Sequence, residues 1–582
     1  MIIANKAVFP SFIRGKYCFS FSYDLCLFHP ILSLSLLKVV HSIGSERKLE
    51  EARKMSISKV TNTSQSNSNN DLLYSSLSQN MKVIKHTLGN SNDIIIREIS
   101  IGKAEKNTVT SEITIGKAEK HAMVMISIDG LCDKTTISDS VIDKLMQEVE
   151  EAHNPDVETI KQYVKETCLT VGDVNEVSNF STLYNSILNG DTVILLDGVS
   201  AGIVTSTKSA KDRAITDPST ESVIRGPRES FTETLRTNTA LIRRKIKSPN
   251  LWIKSRVIGE VTKTDVAVMY LNGIANDKIV AEVLARLDRI NIDGILEGGY
   301  IEDFIQDSKF TIFPTVYNSE RPDVIAGEIL DGKIAILVDG TPFVLIVPAL
   351  FTSFLHSAED YYQHWIISSL VRILRFFGIS LALVAPSLYV AITTFHQEML
   401  PTPMLISIAS QREGVPFPAV VEALMMELAF EILREAGLRM PRTIGPAVSI
   451  VGTLVIGQAA VEAGIVSAVM VIIVALTAIC SFLFPAYGLS NTIRLLRFPL
   501  MILAAMLGLF GVMFGMMIII IHLCSIRTFG VPYLSPFGPL ILKDQKDALV
   551  LFPRRALLTR PRLISQKNNV RGHKYFSVKK RN

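Results

Sequence analysis

The sequence predicts an α/β soluble domain of two duplicated subdomains, followed by an α-helical transmembrane bundle. Three nearly uncharged runs, 376–395, 444–484 and 498–525, each hold enough consecutive apolar residues to cross a bilayer core as a helix. Upstream of them, stretches of the more polar half match each other at a nearly constant spacing, which indicates an internal repeat.

Residues 1–71 are predicted to be an extension that is either disordered or lies upstream of the true start. Met55 opens the segment MSISK, which resembles an ordinary N-terminus. Residues 61–70, TNTSQSNSNN, have the polar, low-complexity composition of a disordered segment. Residues 1–44 are apolar but lack the small-residue cleavage site of a signal peptide.

Two independent matches support the repeat. ILNGDTVILLDG at 187–198 matches ILDGKIAILVDG at 329–340 with an offset of 142. MVMISIDGLCD at 123–133 matches VAVMYLNGIAN at 266–276 with an offset of 143. Because the two offsets nearly agree, we expect two copies of one structural unit.

The repeat gives a soluble α/β subdomain one at 72–206, a basic helical connector at 207–259 and a subdomain two at 260–355. The first copy carries a local duplication, since EISIGKAEK at 98–106 recurs as EITIGKAEK at 112–120, fourteen residues later. This duplication predicts a longer hairpin or loop in subdomain one.

Each copy has the pattern of a strand, a turn, a helix and a strand pair. Asp129, Asp197 and Asp339 precede glycines at the ends of β-rich runs, where aspartate commonly shapes a turn. The segment 334–354 is apolar enough for a membrane span, but its counterpart at 192–206 is too polar for one. We therefore predict that 334–354 is part of a sheet.

The sequence contains no recognisable catalytic motif, so we predict that the chain is not an enzyme and needs no cofactor. IGKAEK has the Gly-Lys pair of a phosphate-binding loop but lacks its upstream glycine and following Ser or Thr. The six cysteines have no paired spacing, which argues against a zinc site or a disulfide framework and suits a reducing compartment.

The membrane domain is predicted to occupy 356–528. Pro418 near its start and Gly437 near its end delimit an amphipathic helix, 415–436, that lies in the interface or re-enters the membrane. The predicted spans are 376–395, 444–461, 465–485 and 498–524.

Glu427, Glu431 and Glu435 follow one another at intervals of four residues, so they share one face of the amphipathic helix. One interpretation places these acids in water or in pairs with Arg434, Arg439 and Arg442. The alternative is an acidic face toward a cation pathway. Gln458 and Glu462 end the next span one turn apart, as a capped surface turn or as a polar gate.

Small residues predict two close helix-packing faces. One is an i, i+4 ladder in the second span, and the other is a GxxxG pair in the fourth. The residues of the two faces are Gly445, Ser449, Thr453 and Gly457 in the ladder, and Gly511 and Gly515 in the pair.

Charge predicts that both ends of the chain lie on the cytoplasmic side. Residues 543–582 carry twelve Lys and Arg against two Asp and Glu, which predicts a basic cytoplasmic tail over 529–582, solvated or held near anionic lipid headgroups. Four spans satisfy this orientation. However, they place the arginines at 439, 442, 494 and 497 outside, against the usual bias.

Several long segments resemble the A subunit of the spore germinant receptors, the GerA family, over about residues 72–545. The segments are GPRESF at 226–231, PFPAVVEALMMELAFEILREAGLRMP at 416–441, VGTLVIGQAAVEAGIVS at 451–467, LRFPLM at 496–501 and GVPYLSP at 530–536. The chain departs from the family pattern in its first 54 residues and in the fourteen-residue duplication.

This resemblance implies a multi-pass protein of the inner spore membrane, without nucleic acid as a partner. Its implied partners are membrane lipids, a permease-like B subunit thought to hold the nutrient, and a lipoprotein C subunit. It further implies a homo-oligomer that opens as a nutrient-gated cation channel and starts germination. A non-conducting signalling scaffold of the same receptor is the alternative; a secondary transporter is less favoured, because the spans show no inverted repeat.

Overall fold

The computed structural model describes residues 71–101, 121–133, 135–142, 157–169, 173–208, 218, 220, 221, 223–439 and 457–571. By its contacts the chain divides after Leu72, and the unit from Leu73 onward is described below. Residues 1–70, the second copy of the local duplication at 112–120, and the packing residues Gly445, Ser449 and Thr453 lie outside the described residues.

The first sheet is antiparallel, with strand order β1-β2-β4-β5-β3. Helices cover both of its faces, which explains why every residue of β4 is buried. The cores lie under α1 and α3 on one side and under α2 on the other. The elements are α1 Leu77–Thr87, β1 Ile94–Ile101, β2 His121–Ile128, a π-helix Thr136–Ile142, α2 Val157–Leu169, β3 Val174–Val177, α3 Phe180–Leu188, β4 Thr192–Leu196 and β5 Gly202–Thr205.

The second sheet is also antiparallel, in the order β6-β7-β9-β10-β8. Helices α4 and α7 pack on one face and α5 and α6 on the other. The segment 334–354 contains β9 and β10, so its prediction as sheet is confirmed. The elements are α4 Leu235–Lys245, β6 Leu251–Ile258, β7 Thr264–Leu271, α5 Asp277–Asp288, α6 Gly298–Ile305, β8 Tyr317–Ser319, α7 Pro322–Leu330, β9 Ile334–Val338 and β10 Val344–Val347.

Equivalent side chains hold the same positions in the two sheets. Asp197 follows β4 and accepts a hydrogen bond from the first backbone N–H of α1, at 2.9 Å. Asp339 follows β9 and accepts one from the first backbone N–H of α4, also at 2.9 Å. Both aspartates therefore tie a helix start to a strand end. Within the predicted connector 207–259, α4 and β6 pack into the second sheet and its core.

The remainder of the described chain is mostly helical. Among the described residues, Trp365–Phe395 and Tyr487–Ser525 are long and apolar enough to cross a membrane, and Ala468–Ser481 is a shorter apolar helix. The elements are α8 Trp365–Phe395, α9 Thr402–Arg412, α10 Ala419–Arg439, α11 Gly457–Glu462, α12 Ala468–Ser481, α13 Tyr487–Ser525, β11 Arg527–Thr528 and β12 Val531–Pro532.

Helix α13 reverses direction at Gly508, whose φ of 61° and ψ of −143° are not helical. A Cβ built on Gly515 would lie 2.5 Å from the Leu500 side chain. In a straight helix these residues would be about 22 Å apart, at about 1.5 Å per residue. The segment predicted as one crossing, 498–524, is therefore part of a helical hairpin with arms 487–507 and 509–525.

Contacts along the helices show which ends lie beside the second sheet. Helix α8 begins there, since Arg372 pairs with Asp360, and its far end at Phe395 touches the hairpin tip at Gly508. Both arms of the hairpin have their open ends beside the loop before β8, where a Cβ on Gly488 would lie 3.5 Å from Pro314.

Helix α10 lies lengthwise between the tip and the second sheet. Its Glu422 bonds Ser467 at the start of α12, and Ser467 contacts Tyr389 near the far end of α8. Its Arg434 donates to Tyr487 at the open end of the hairpin. Arg434 and Arg494, which both bind Glu431, therefore lie toward the end of the helical region that is beside the second sheet.

The C-terminal segment 529–571 packs back onto the second sheet's domain. Tyr533 and Ile564 are fully buried, and Arg571 pairs with Asp331 at 2.5 Å. Leu551 exchanges backbone hydrogen bonds with the Ser369 hydroxyl of α8. This packing differs from the solvated or headgroup-bound tail predicted for this stretch; residues 572–582 lie outside the described part.

Candidate functional site in the helical region

The predicted acidic face of α10 packs against α12 and the first arm of the hairpin. Glu427 is paired with Arg497 at 2.5 Å, and each side chain is 1% exposed. The Thr477 hydroxyl of α12 donates to Glu427 at 3.4 Å. The structure thus buries Glu427, the first of the three acids, between α10, α12 and the first arm of the hairpin.

Glu431 lies one turn further along α10 and is bound by two arginines. Arg494 donates to its carboxylate at 3.0 Å, and Arg434 lies 3.6 Å away. The pairing follows from geometry, because α10 and the first arm run in opposite directions. Glu427 therefore meets Arg497, whereas Glu431, four residues later on α10, meets Arg494, three residues earlier on the arm.

Glu435 differs from the other two acids because it is exposed. It pairs with Arg439 at 2.7 Å, four residues further along the same helix, and the two side chains are 57% and 80% exposed. Along this face the ion pairs therefore change from fully buried at Glu427 to exposed at Glu435, which is nearer the soluble domain.

Glu422 is a buried acid that lay outside the predicted face. It is fully buried and accepts a hydrogen bond from the Ser467 backbone N–H at 2.6 Å and another from its hydroxyl. Arg412 lies 3.8 Å from its second oxygen. The sequence signal for this site is Ser467, which is a favourable N-cap before an apolar run. The start of a helix also favours a nearby acidic side chain.

Gln458 and Glu462 form an exposed turn rather than joining the acids of α10. The Gln458 amide donates to the Glu462 carboxylate at 2.8 Å, and both residues are exposed. Gly464 follows with a φ of 67°, which ends the helix. The two side chains thus close one exposed turn at the end of α11.

Two of the predicted packing glycines, Gly457 and Gly511, lie beside other helical segments. A Cβ on Gly457 would lie 3.6 Å from Val471 of α12, an ordinary contact distance that does not itself require glycine. A Cβ on Gly511 would lie 2.1 Å from the Leu503 carbonyl oxygen, so this glycine lets the two arms of the hairpin approach each other.

The Arg497 guanidinium is only partly satisfied by protein. Its Nε and Nη2 are buried and have no hydrogen-bond partner among the described residues. Buried donors of this kind normally bind water or an ion. The neighbourhood of Glu427 and Arg497 therefore offers buried hydrogen-bond donors to a polar species.

Residues 82–563 match the family described as Bacillus/Clostridium GerA spore germination protein. The chain belongs to the GerA family. Spore germination protein KA of Bacillus subtilis (strain 168) is 50% identical over 502 residues, which are 86% of this chain and 89% of that protein. The GerA match includes the second sheet, the helical region and most of the C-terminal segment.

Two further proteins are similar to this chain. Spore germination protein GerLA of Bacillus cereus is 38% identical over 489 residues, which are 84% of this chain and 96% of that protein. A solved structure is that of the N-terminal domain of the A subunit of the Bacillus megaterium spore germinant receptor GerK3. It is 40% identical, with a TM-score of 0.37, and the match covers 48% of this chain and 97% of that one.

Proposed function

We propose that this chain is the A subunit of a nutrient germinant receptor in the inner spore membrane. Membership of the GerA family, together with relatives named spore germination proteins, supports this role. By the same argument its partners are a permease-like B subunit, a lipoprotein C subunit and further copies of itself. No catalytic step is part of the proposal.

We further propose that the soluble domain arose by duplication and lies in the cytoplasm. The shared strand order and the matching roles of Asp197 and Asp339 support duplication. In this arrangement six segments cross the membrane, instead of the four predicted from the sequence. They are α8, α10, the predicted span 444–461, α12 and the two hairpin arms. The arginines at 434 and 494 then lie inside, as the positive-inside rule favours.

The proposed activity is a cation channel whose closed state is held by the Glu427–Arg497 pair. This buried pair is the observation that carries the proposal, because an ionic pair at membrane depth is costly and usually functional. Ligand on the partner complex would shift the soluble domains and rotate the bundle helices. Rotation would separate the pair and expose Glu427 and Glu431 to a hydrated pathway.

The second candidate is a non-conducting scaffold that anchors a signalling platform. It is favoured by the fact that Glu427, Glu431 and Glu435 each have an arginine partner within the same chain. Acids that are fully neutralised this way hold helices together without any need for a pore.

Conductance separates the two candidates. The chain is reconstituted in planar bilayers, with and without its B and C partners, and candidate amino acids are added. We expect a ligand-dependent cation current from the complete complex. No current from an assembled complex that binds its nutrient would favour the scaffold. Normal potassium release from assembled Glu427→Gln, Glu431→Gln and Glu435→Gln variants would contradict the role of these acids.

A further inference from the structure

The loop 306–313, between α6 and β8, lies against the open end of the helical hairpin. Asp307 at its base accepts a hydrogen bond from the Phe529 backbone N–H, just after the second arm. Further along the loop, the Thr311 hydroxyl forms a hydrogen bond of 3.1 Å with the His522 Nε2 of that arm. On the other side, Thr492 of the first arm donates to the Ile312 carbonyl at 2.7 Å. The loop is thus fixed to both arms.

These hydrogen bonds hold the loop where the exposed surface of the hairpin changes from polar to apolar. Just beyond Thr492 and His522, toward the tip, the exposed side chains are apolar, beginning with Leu495 at 54% and Ile521 at 60% exposed. In the opposite direction, Arg527 is exposed immediately after the second arm. The loop therefore ends where the apolar surface of the arms begins.

Phe310 is at the top of this loop and is 96% exposed. Its neighbour Lys309 is also exposed, and Ile312 is 46% exposed. Burying a phenylalanine side chain contributes roughly 1.5–3 kcal/mol, so leaving one in water on a tethered loop is unfavourable. An aromatic side chain beside a lysine suits the boundary between lipid headgroups and acyl chains.

We infer that the loop 306–313 is a membrane-surface anchor of the soluble domain, with Phe310 inserted among the lipids. The inference rests on the proposed membrane location of the hairpin. The bilayer is the occupant because the hydrogen bonds of the loop to Thr492 and His522 hold it where the exposed apolar side chains of both arms begin. The anchor fixes the second sheet at a defined height against the membrane.

Fluorescence quenching by lipids with brominated acyl chains tests this depth directly. The full chain is reconstituted in phosphatidylcholine and phosphatidylglycerol vesicles, and its two native tryptophans give the baseline. Three variants are compared: Phe310→Trp, Met506→Trp near the hairpin tip, and Val261→Trp. Met506 and Val261 are 68% and 78% exposed, and Val261 lies on the β6–β7 turn of the sheet.

We expect bromolipid to reduce the added emission of Phe310→Trp and Met506→Trp while leaving Val261→Trp unchanged. Quenching of Met506→Trp without quenching of Phe310→Trp would overturn the anchor but not the membrane location. Protection of Phe310→Trp from both bromolipid and acrylamide would instead indicate a protein partner there and also overturn it. If Met506→Trp is not quenched, the proposed membrane location itself fails, and the anchor with it.

Discussion

At the scale of single residues, the charged side chains of the bundle divide by burial rather than by spacing. Glu427 and Glu435 lie on the same face of α10, yet one is fully buried and the other is exposed. An exposed pair contributes little because water screens it, whereas removing one member of a buried pair leaves an uncompensated charge. The same substitution should therefore have very different effects at the two positions.

Glu427→Gln should destabilise the folded chain by about 3–5 kcal/mol, because Arg497 loses its counter-charge in an apolar environment. Glu435→Gln is the matched control and should change stability by less than about 1 kcal/mol. Thermal unfolding of both variants in the same detergent provides the comparison. A double variant, Glu427→Met with Arg497→Met, should recover most of the loss; equal melting temperatures for the two single variants would contradict the buried pair.

Glu221 should make the stability of the second sheet's domain dependent on pH. Burial raises its pKa to about 7, opposed by a hydrogen bond from Ser319 and reinforced by the charge of Glu320. Because the folded-state pKa is above the unfolded one, its contribution to stability is complete below about pH 4.5 and is lost as the pH rises to about 7.

Glu221→Gln should therefore stabilise the chain at pH 8 by on the order of 2 kcal/mol relative to its effect at pH 4.5. The amide oxygen of the variant still accepts from Ser319, so the change isolates the charge. Melting temperatures measured from pH 4.5 to 8 test this expectation. A constant difference between variant and parent across that range would show that Glu221 does not titrate there.

At the scale of elements, one glycine decides how the last apolar run is used. The sequence of 498–525 has the length and composition of a single span, and GxxxG predicts that another helix packs on it. In the structure the packing partner is the preceding part of the same run, because the chain turns back at Gly508. A helical pattern does not reveal a reversal that a single residue permits.

Gly508→Ala should abolish correct assembly of the hairpin. The φ and ψ of this position are essentially restricted to glycine, and an added Cβ would lie 2.7 Å from the His396 ring. Gly437→Ala in α10 is the control, since nothing lies within 4 Å of its added Cβ and alanine favours helix. The measurement is the yield of monodisperse protein in detergent; wild-type yield for both variants would refute the reversal.

At the scale of the whole molecule, the C-terminal segment and α8 join the soluble and helical regions. Arg372 of α8 is buried between Asp360, before the helix, and Asp547 of the C-terminal segment. Burial also lowers the pKa of His356 well below its usual value, reinforced by the charge of Arg372, so this histidine stays neutral while it contacts the Ala548 carbonyl. These contacts thus tie α8 to the residues before it and to the C-terminal segment.

The direction of α10 can be tested by labelling with a membrane-impermeant maleimide in intact protoplasts. Met399→Cys, beyond the tip end of α8, should react from outside, whereas Leu438→Cys at the end of α10 should react only after permeabilisation. Both residues are exposed, at 62% and 57%. The background carries Cys524→Ser, because Cys524 is exposed. Labelling of both variants in intact protoplasts would mean that α10 does not cross, and labelling of Leu438→Cys alone would mean that it crosses in the opposite direction.

The sequence alone indicated a soluble α/β part followed by an apolar helical part. The length of the apolar runs separated the helical region from the sheets, and the matching Asp-Gly segments indicated two similar units. These properties are local, since the period of the hydrophobic pattern and the residues at turns set secondary structure. The acidic face of α10 was predictable for the same reason, because residues four apart lie on one face of a helix.

Only the tertiary structure decided which residues meet. Glu427 and Arg497 are 70 residues apart, and no local rule connects them. The reversal at Gly508 and the packing of 529–571 onto the second sheet likewise depend on contacts between distant segments. Burial then decides the energetics, because the same carboxylate contributes little in water and a great deal inside a bundle of helices.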